Sequence, residues 1–191
     1  AKTLWSRMID IKGRNIRVDG TGLSSSSGIS IVGANKIEMN GPFGIVTSVT
    51  GAQEVSVKAP EIYFKDDVYI WANTSKHLDS TGKINIFGSE ILELKNTDIT
   101  MVNDQTNNEH PVIELNGGQI TLDNSVIAQG SYYDWMNRFG FIYSSNPTRL
   151  TGNKITQINA TGSFKLVNKS RLSLGTGNIS INSKDVIIQD S

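Results

Sequence analysis

The chain lacks cysteine entirely, so neither a disulfide nor a thiolate metal ligand contributes to its fold or chemistry. It also lacks the apolar run of about 20 residues that a membrane-spanning helix requires. Its 18 Lys and Arg residues balance 18 Asp and Glu residues, which argues against bulk attraction to nucleic acid or to anionic membranes. A cysteine-free chain suits export in an unfolded state, because no disulfide forms too early. We therefore expect no nucleic-acid partner and no membrane insertion.

Room for crossover helices is also missing, and short alternating strands take their place. Residues 83–88 (KINIFG), 90–96 (EILELKN) and 98–103 (DITMVN) each alternate apolar and polar side chains over four to six positions. Alternation at period two allows one face of a strand to be buried while the other faces water. Successive strands are about seven residues apart. This spacing predicts a solenoid, in which each strand pairs with its counterpart one coil later.

The coil length follows from the first apolar strand of each group. These strands start at Ile29, Val55, Ile84, Val112, Phe141 and Phe164. The intervals give about 23–29 residues per coil, and three short strands with their corners need only roughly 20. The remainder predicts loop insertions at residues 24–27, 73–82, 104–110 and 130–138. The prediction is an all-β, right-handed parallel β-helix with three strands per coil, since parallel connections of this kind are right-handed.

A two-sheet sandwich is the main alternative, because it also contains many short strands separated by turns. Asn-Gly, which is typical of hairpins, occurs at residues 40–41 and 116–117, but most corners are Lys-Asn, Lys-Asp or Gly-Ser. The repeat also persists to the last residue, where a solenoid would expose unpaired backbone and apolar interior. We expect residues 1–191 to form one β-helical domain that is a fragment of a larger protein, with asparagines stacked as internal hydrogen-bond ladders at its corners.

Residues 82–94 (GKINIFGSEILEL), 117–125 (GGQITLDNS) and 177–191 (GNISINSKDVIIQDS) carry the repeat most clearly. They resemble the degenerate repeats of filamentous-haemagglutinin-like adhesins and autotransporter passengers, and the resemblance extends from about Ile9 to the end. It implies a non-enzymatic adhesin or receptor-binding segment of a large secreted bacterial protein. The implied partner is a glycan or protein receptor on a host or bacterial surface, without a cofactor.

Two other functions stay open. Phage tailspikes are similar in pattern, and that alternative implies a homotrimer in a virion, signalled by apolar residues on the outside of one sheet. A carbohydrate-active β-helix enzyme is the third reading, and it requires two carboxylates about 5–9.5 Å apart. The best catalytic candidates are Asp66 and Asp67, but adjacent residues of an extended chain point in opposite directions. A solvated turn is the simpler interpretation, so we expect no enzymatic activity.

The two histidines, His77 and His110, lie about one coil apart in predicted loops. A metal site needs a third ligand that is held rigidly, and exposed loop histidines are the commoner case. We therefore expect no metal site.

Aromatic residues make up only 7% of the chain, and they are densest in residues 131–141 (SYYDWMNRFGF), which interrupt the repeat. Aromatic faces beside planar polar groups suit sugar or protein recognition, although the same segment would also serve as a short turn that covers a sheet. Its predicted binding residues are Tyr132, Tyr133, Asp134, Trp135, Asn137 and Arg138. Tyr69 and Trp71 form a second candidate, since alternation places both outside if Val68 and Ile70 are buried.

Overall fold

Every described segment of this protein contains extended strand. The computed structural model describes residues 2–41, 45–48, 54–73, 82–102, 112–130, 154–174 and 177–190. None of these residues lies in a helix, so among them no helix is long and apolar enough to cross a membrane. The strands are β1 (Lys2–Asp19), β2 (Thr21–Asn40), β3 (Ile45–Ser48), β4 (Glu54–Lys65), β5 (Val68–Asn73), β6 (Lys83–Lys95), β7 (Thr97–Val102), β8 (Val112–Asp123), β9 (Val126–Gly130), β10 (Lys154–Val167), β11 (Arg171–Leu174) and β12 (Gly177–Gln189).

The strands form one parallel sheet with a long-strand series and a short-strand series. The hydrogen-bonded order is β11-β9-β7-β5-β3-β2-β4-β6-β8-β10-β12, and β1 also pairs with β2. β2 belongs to both series, because residues 23–25 pair with β3 and the part from Ile29 onward pairs with β4. The prediction of an all-β protein with parallel pairing is therefore confirmed for the described part of the chain.

Successive long strands pair at regular steps along the chain. Ile29 pairs with Val55, Val55 with Ile84 and Ile84 with Ile113, which are steps of 26, 29 and 29 residues. The step from Ile113 to Thr156 is 43 residues, because the chain between β9 and β10 intervenes. Most steps thus agree with the predicted 23–29 residues. The predicted insertion at 130–138 lies, apart from Gly130 in β9, outside the described residues.

Two of the predicted coil positions, Val112 and Phe164, do not continue the ladder of Ile84. β8 does begin at Val112, but Val112 pairs with Lys83, one residue out of register, and Phe164 pairs with Ile120 in the second half of its strand. The position that continues the first inward ladder is Thr156, a polar residue that is only 1% exposed. Counting apolar residues misses this position because its side chain is not apolar.

The long strands exceed the predicted four to six residues because each joins two predicted strands through a bend. β4, for example, combines residues 54–58 with residues 61–65. We call a bend wide when the two inward residues that flank it are six positions apart, and narrow when they are five apart. Wide and narrow bends alternate across the sheet. The flanking pairs are Ile31 and Ile37 (six), Val57 and Ile62 (five), Ile86 and Leu92 (six), Leu115 and Ile120 (five), and Ile158 and Phe164 (six). This alternation accounts for the register shift found in every pair of long strands. A wide bend therefore always lies beside a narrow one.

Residues 24–27, predicted as a loop insertion, lie inside β2 instead. The register between β1 and β2 shifts at Arg7, where β2 carries one extra residue. The buried Ser25 hydroxyl donates to the Arg7 carbonyl at 2.7 Å and accepts from the Gly28 N–H at 3.0 Å. Because this side chain takes the place of the lost ladder hydrogen bonds, the serine run forms a bulge and the strand continues.

The interior consists of apolar side chains stacked in ladders across the strands. Phe64, Ile84 and Ile86 are completely buried, and such burial stabilises the fold by about 1.5–3 kcal/mol for each side chain. The ladders of the long strands are Ile29, Val55, Ile84 and Ile113; Ile31, Val57, Ile86, Leu115 and Ile158; Ile37, Ile62, Leu92, Ile120 and Phe164; and Met39, Phe64, Leu94, Leu122 and Leu166, while Leu23, Ile70, Ile99 and Ile127 form that of the short strands and β2.

A regular corner joins each long strand to the next short strand. Asn96 and Asn124 turn the chain there with left-handed backbone at φ values of 48° and 46°, which asparagine tolerates better than most residues. Asn124 Nδ2 donates to Asn96 Oδ1 at 2.8 Å, and Asn168 Nδ2 donates to Asp123 Oδ1 at 2.7 Å. Asparagine side chains thus bond from one repeat to the next at this corner, but on the exposed side, whereas we expected such ladders inside the coil, where they would satisfy buried backbone groups.

The buried side of the same corner is a ladder of hydroxyl groups. Thr97, Ser125 and Ser170 are 3%, 1% and 3% exposed. Ser125 Oγ donates to the Leu94 carbonyl at 2.9 Å and accepts from the Thr97 N–H at 3.1 Å, while the Ser125 N–H donates to Ser170 Oγ at 3.0 Å. These bonds satisfy backbone groups that the turn removes from the sheet.

Candidate functional site

Asp66 and Asp67 form the corner between β4 and β5. Both are exposed, and both have left-handed backbone, with φ values of 59° and 65°. The Asp67 N–H donates to the Asn96 carbonyl at 3.0 Å, so the pair occupies the position that Asn96 fills one repeat later. The simpler interpretation as a solvated turn is confirmed, and the backbone conformation explains why short polar residues occur there.

Tyr69 lies on the outer face of β5. Val68 and Ile70 are buried at 1% and 0% exposure, as the alternation predicts, while Tyr69 is only partly buried. Burial raises the pKa of the Tyr69 phenol, and the nearby carboxylates of Asp67 and Asp98 raise it further. Trp71 continues the same strand and pairs with Thr100, but its side chain lies outside the described part. The binding role of Tyr69 and Trp71 stays a prediction.

The aromatic segment lies outside the described residues. This applies to all of its predicted binding residues, Tyr132, Tyr133, Asp134, Trp135, Asn137 and Arg138, as well as to Phe141, His77 and His110. Among the described residues, no group of three or more His, Cys, Asp or Glu side chains is placed to hold a metal ion.

The outer face of the long strands after the bend is covered by internal ion pairs. Lys36 Nζ lies 2.9 Å from Glu38 Oε1, and this hydrogen bond holds the pKa of the Glu38 carboxyl below its ordinary value. The Lys65 ammonium lies 4.9 Å from the centre of the Tyr63 ring, and Tyr63 also donates to Glu61 at 3.3 Å. The Glu38 charge and the Tyr63 ring on this face are therefore already in contact with lysines of the same chain.

The outer face before the bend has a different character. One outward position runs across four successive strands through Lys58, Phe87, Asn116 and Asn159, and β12 continues it with Asn182. A shallow groove of about 460 Å³ opens along these residues. We call it the amide groove, defined by Lys58, Asn85, Phe87, Ser89, Asn116, Gly117, Asn159 and Thr161.

The amide groove crosses the bends of three strands. Gly117 lies in the narrow bend of β8, and Ser89 and Thr161 lie in the wide bends of β6 and β10. A Cβ atom added at Gly117 would lie 2.8 Å from the Gly88 carbonyl oxygen and 3.1 Å from Cγ1 of the buried Ile120, so a side chain at this position would point into the core and not into the groove. A second depression of about 380 Å³ shares Asn159 and Thr161 and extends the groove toward Lys184.

A chain of hydrogen bonds orients the amides in the groove. Lys83 Nζ lies 2.8 Å from Glu114 Oε2, and this hydrogen bond, aided by one from Asn116, holds the pKa of the Glu114 carboxyl below its ordinary value. Asn159 Nδ2 then donates to Asn116 Oδ1 at 2.9 Å. The Oδ1 atom of Asn85 is buried from solvent, so it is not open to the groove, and it has no hydrogen-bond partner among the described residues. The amides that the groove presents are therefore those of Asn116 and Asn159.

Sequence reasoning did not find the amide groove. The sequence feature that marks the groove is an asparagine or Phe87 at the same outward position of successive strands. This feature becomes visible only when the pairing of the strands is known, and the misplaced coil positions Val112 and Phe164 hid that pairing.

The geometry defines an all-β protein with parallel pairing of its strands and a shallow surface groove that the Asn116 and Asn159 side chains help to line. No protein-family model, no curated protein and no solved structure matches this chain.

Proposed function

We propose that this chain is a right-handed parallel β-helix that serves as a non-enzymatic receptor-binding segment of a large secreted bacterial adhesin. Three inward pairs occur in each repeat, for example Ile84 with Ile86, residues 92 and 94, and Ile99 with Met101, which supports a coil with three sides. Parallel strands joined in one sheet favour the right-handed winding. The expected location is the cell surface or the surrounding medium.

The observation that carries the proposed function is the alignment of outward side chains into stripes across paired strands. Phe87, Asn116 and Asn159 occupy one stripe, where Phe87 is 41% exposed. Repeat proteins typically bind through such extended surfaces, because each repeat presents the same outward position. A glycan or a protein receptor on a cell surface is the partner that this arrangement fits.

The test is binding of the purified, fluorescently labelled chain to bacterial and host cells, with the urea-unfolded chain as control. Saturable binding by the folded chain alone is the expected result, and the absence of saturable binding to every cell type would overturn the proposed function. The molar mass from light scattering distinguishes the proposed adhesin segment from the phage-spike alternative. An adhesin segment is expected to give a monomer of 20.8 kDa, and a spike protein is expected to give a stable trimer.

A further inference from the structure

The amide groove presents hydrogen-bonding groups that are held in place before any ligand arrives. Asn116 and Asn159 are fixed by their mutual hydrogen bond, and Asn116 is fixed again through Glu114. Each amide carries a donor and an acceptor on a planar group, which matches the paired hydroxyl groups of a sugar ring. Because these side chains lose little further freedom on binding, their hydrogen bonds contribute more of their energy to affinity.

The groove also contains an aromatic face. Phe87 is 41% exposed at the position between Lys58 and Asn116. An exposed ring beside fixed amides is suited to the apolar face of a sugar ring, with hydroxyl groups around its edge.

Among the described residues, the charged side chains that line the groove and the adjoining depression are both lysines. Lys58 lines the amide groove at one end, and Lys184 lines the adjoining depression at the other. No carboxylate lines either depression among the described residues, and Glu114 beside them is paired with Lys83. This arrangement favours a ligand that carries carboxylates along its length.

The dimensions of the groove suit a chain rather than a single sugar. Neighbouring strands lie roughly 4.8 Å apart, so the side chains of β6, β8, β10 and β12 repeat at a distance close to the advance of one pyranose ring in an extended oligosaccharide. A chain of about four rings would place successive rings against Phe87, Asn116, Asn159 and Asn182.

We propose that the amide groove binds an extended oligosaccharide that lies along the stacking direction of the strands, and that it prefers a chain bearing carboxylates. This inference rests on the proposed function and names the ligand class of that surface. Phe87 stacks on one ring, Asn116 and Asn159 hydrogen-bond to the next rings, and Lys58 attracts the carboxylates.

The experiment compares matched variants on an array of neutral and acidic oligosaccharides. Phe87→Ala and Asn159→Ala are expected to weaken binding about tenfold, while Phe87→Trp keeps it. The controls are Val32→Ala, at the same outward position two strands away, and the exposed Asn15→Ala, and both are expected to bind like the parent chain. Far-ultraviolet circular dichroism and urea unfolding verify that each variant is folded.

The charge preference is measured with one matched pair of ligands, cellohexaose and the corresponding oligoglucuronate. Lys58→Gln is expected to weaken binding of the oligoglucuronate about tenfold and leave cellohexaose unchanged, and Lys165→Gln on the other outer face is the control. Equal binding of both ligands by the parent chain would overturn the preference for carboxylates.

Two outcomes would overturn the groove as the binding site. One is that the folded chain binds no oligosaccharide on the array, and the other is that Phe87→Ala and Asn159→Ala bind as well as the controls. If the chain still binds cells in either case, the proposed function stands and only the groove fails. If cell binding is also absent, both fail.

Discussion

Ile86 and Phe87 are adjacent residues of β6, yet Ile86 is 0% exposed and Phe87 is 41% exposed. Ile86 belongs to an inward ladder that fixes the pairing of five strands, whereas Phe87 belongs to an outward stripe that contains a lysine, an aromatic residue and three asparagines. The comparison teaches that the residues on the two faces of one strand are chosen independently of each other. The inner face encodes the fold, and the outer face is free to encode recognition.

The largest expected difference between the two faces is in stability. Ile86→Ala leaves a cavity in the ladder and is expected to lower the free energy of unfolding by about 2–5 kcal/mol. Phe87→Ala on the neighbouring residue is expected to change it by less than about 0.5 kcal/mol. Urea unfolding of both variants measures the difference, and equal losses would show that Phe87 is part of the core.

The hydroxyl ladder is the next most sensitive feature. Ser125→Ala removes the acceptor of the buried Thr97 N–H and is expected to cost about 1–3 kcal/mol. Ser180→Ala, on the exposed face of β12, is the matched control and should have almost no effect. Urea midpoints compare the two variants, and an unchanged midpoint for Ser125→Ala would contradict the structural role of the ladder.

A smaller effect is expected from the ion pair beside the amide groove. Glu114 has a pKa below its ordinary value of 4.5, so its stabilising contribution is complete above that value and is lost as the pH falls through the lowered pKa. Glu114→Gln should remove this part of the acid dependence, which amounts to less than about 1 kcal/mol because the pair is partly exposed. Urea unfolding between pH 3 and pH 6 measures it. A parent and variant with identical profiles would refute the assignment.

The smallest effect is expected on the ion-paired outer face. A double-mutant cycle of Lys36→Met and Glu38→Gln should give a coupling of about 0.2–1 kcal/mol, because both side chains are partly exposed. The coupling should decrease in 0.5 M salt, where exposed charges are screened. A coupling energy larger than the loss of unfolding free energy caused by Ile86→Ala would reverse the comparison between the inner and the outer face.

Period-two alternation correctly predicted the all-β structure, and it placed Tyr69 on the outer face on the condition that Val68 and Ile70 are buried, which they are. These features depend on residues that are close in sequence or on a simple count of apolar positions. The turn at Asp66 and Asp67 was predictable for the same reason, since it depends on local backbone conformation.

The amide groove was not predictable, because it depends on which residues become neighbours across paired strands. Gly117 lines the groove together with Ser89 and Thr161, which are 28 and 44 positions away in sequence. The buried polar residue Thr156 in an apolar ladder helped to hide this pairing.

The 43-residue step between Ile113 and Thr156 has a consequence for engineering. The ladders on both sides of it keep the same pairing as those separated by 29 residues, so the register does not depend on how much chain lies between two strands. Doubling the length of a flexible connection costs only about 0.6 kcal/mol in loop-closure entropy. A foreign peptide inserted between two paired strands is thus expected to leave the inward ladders in register, so that the sheet would display it without redesign of the core.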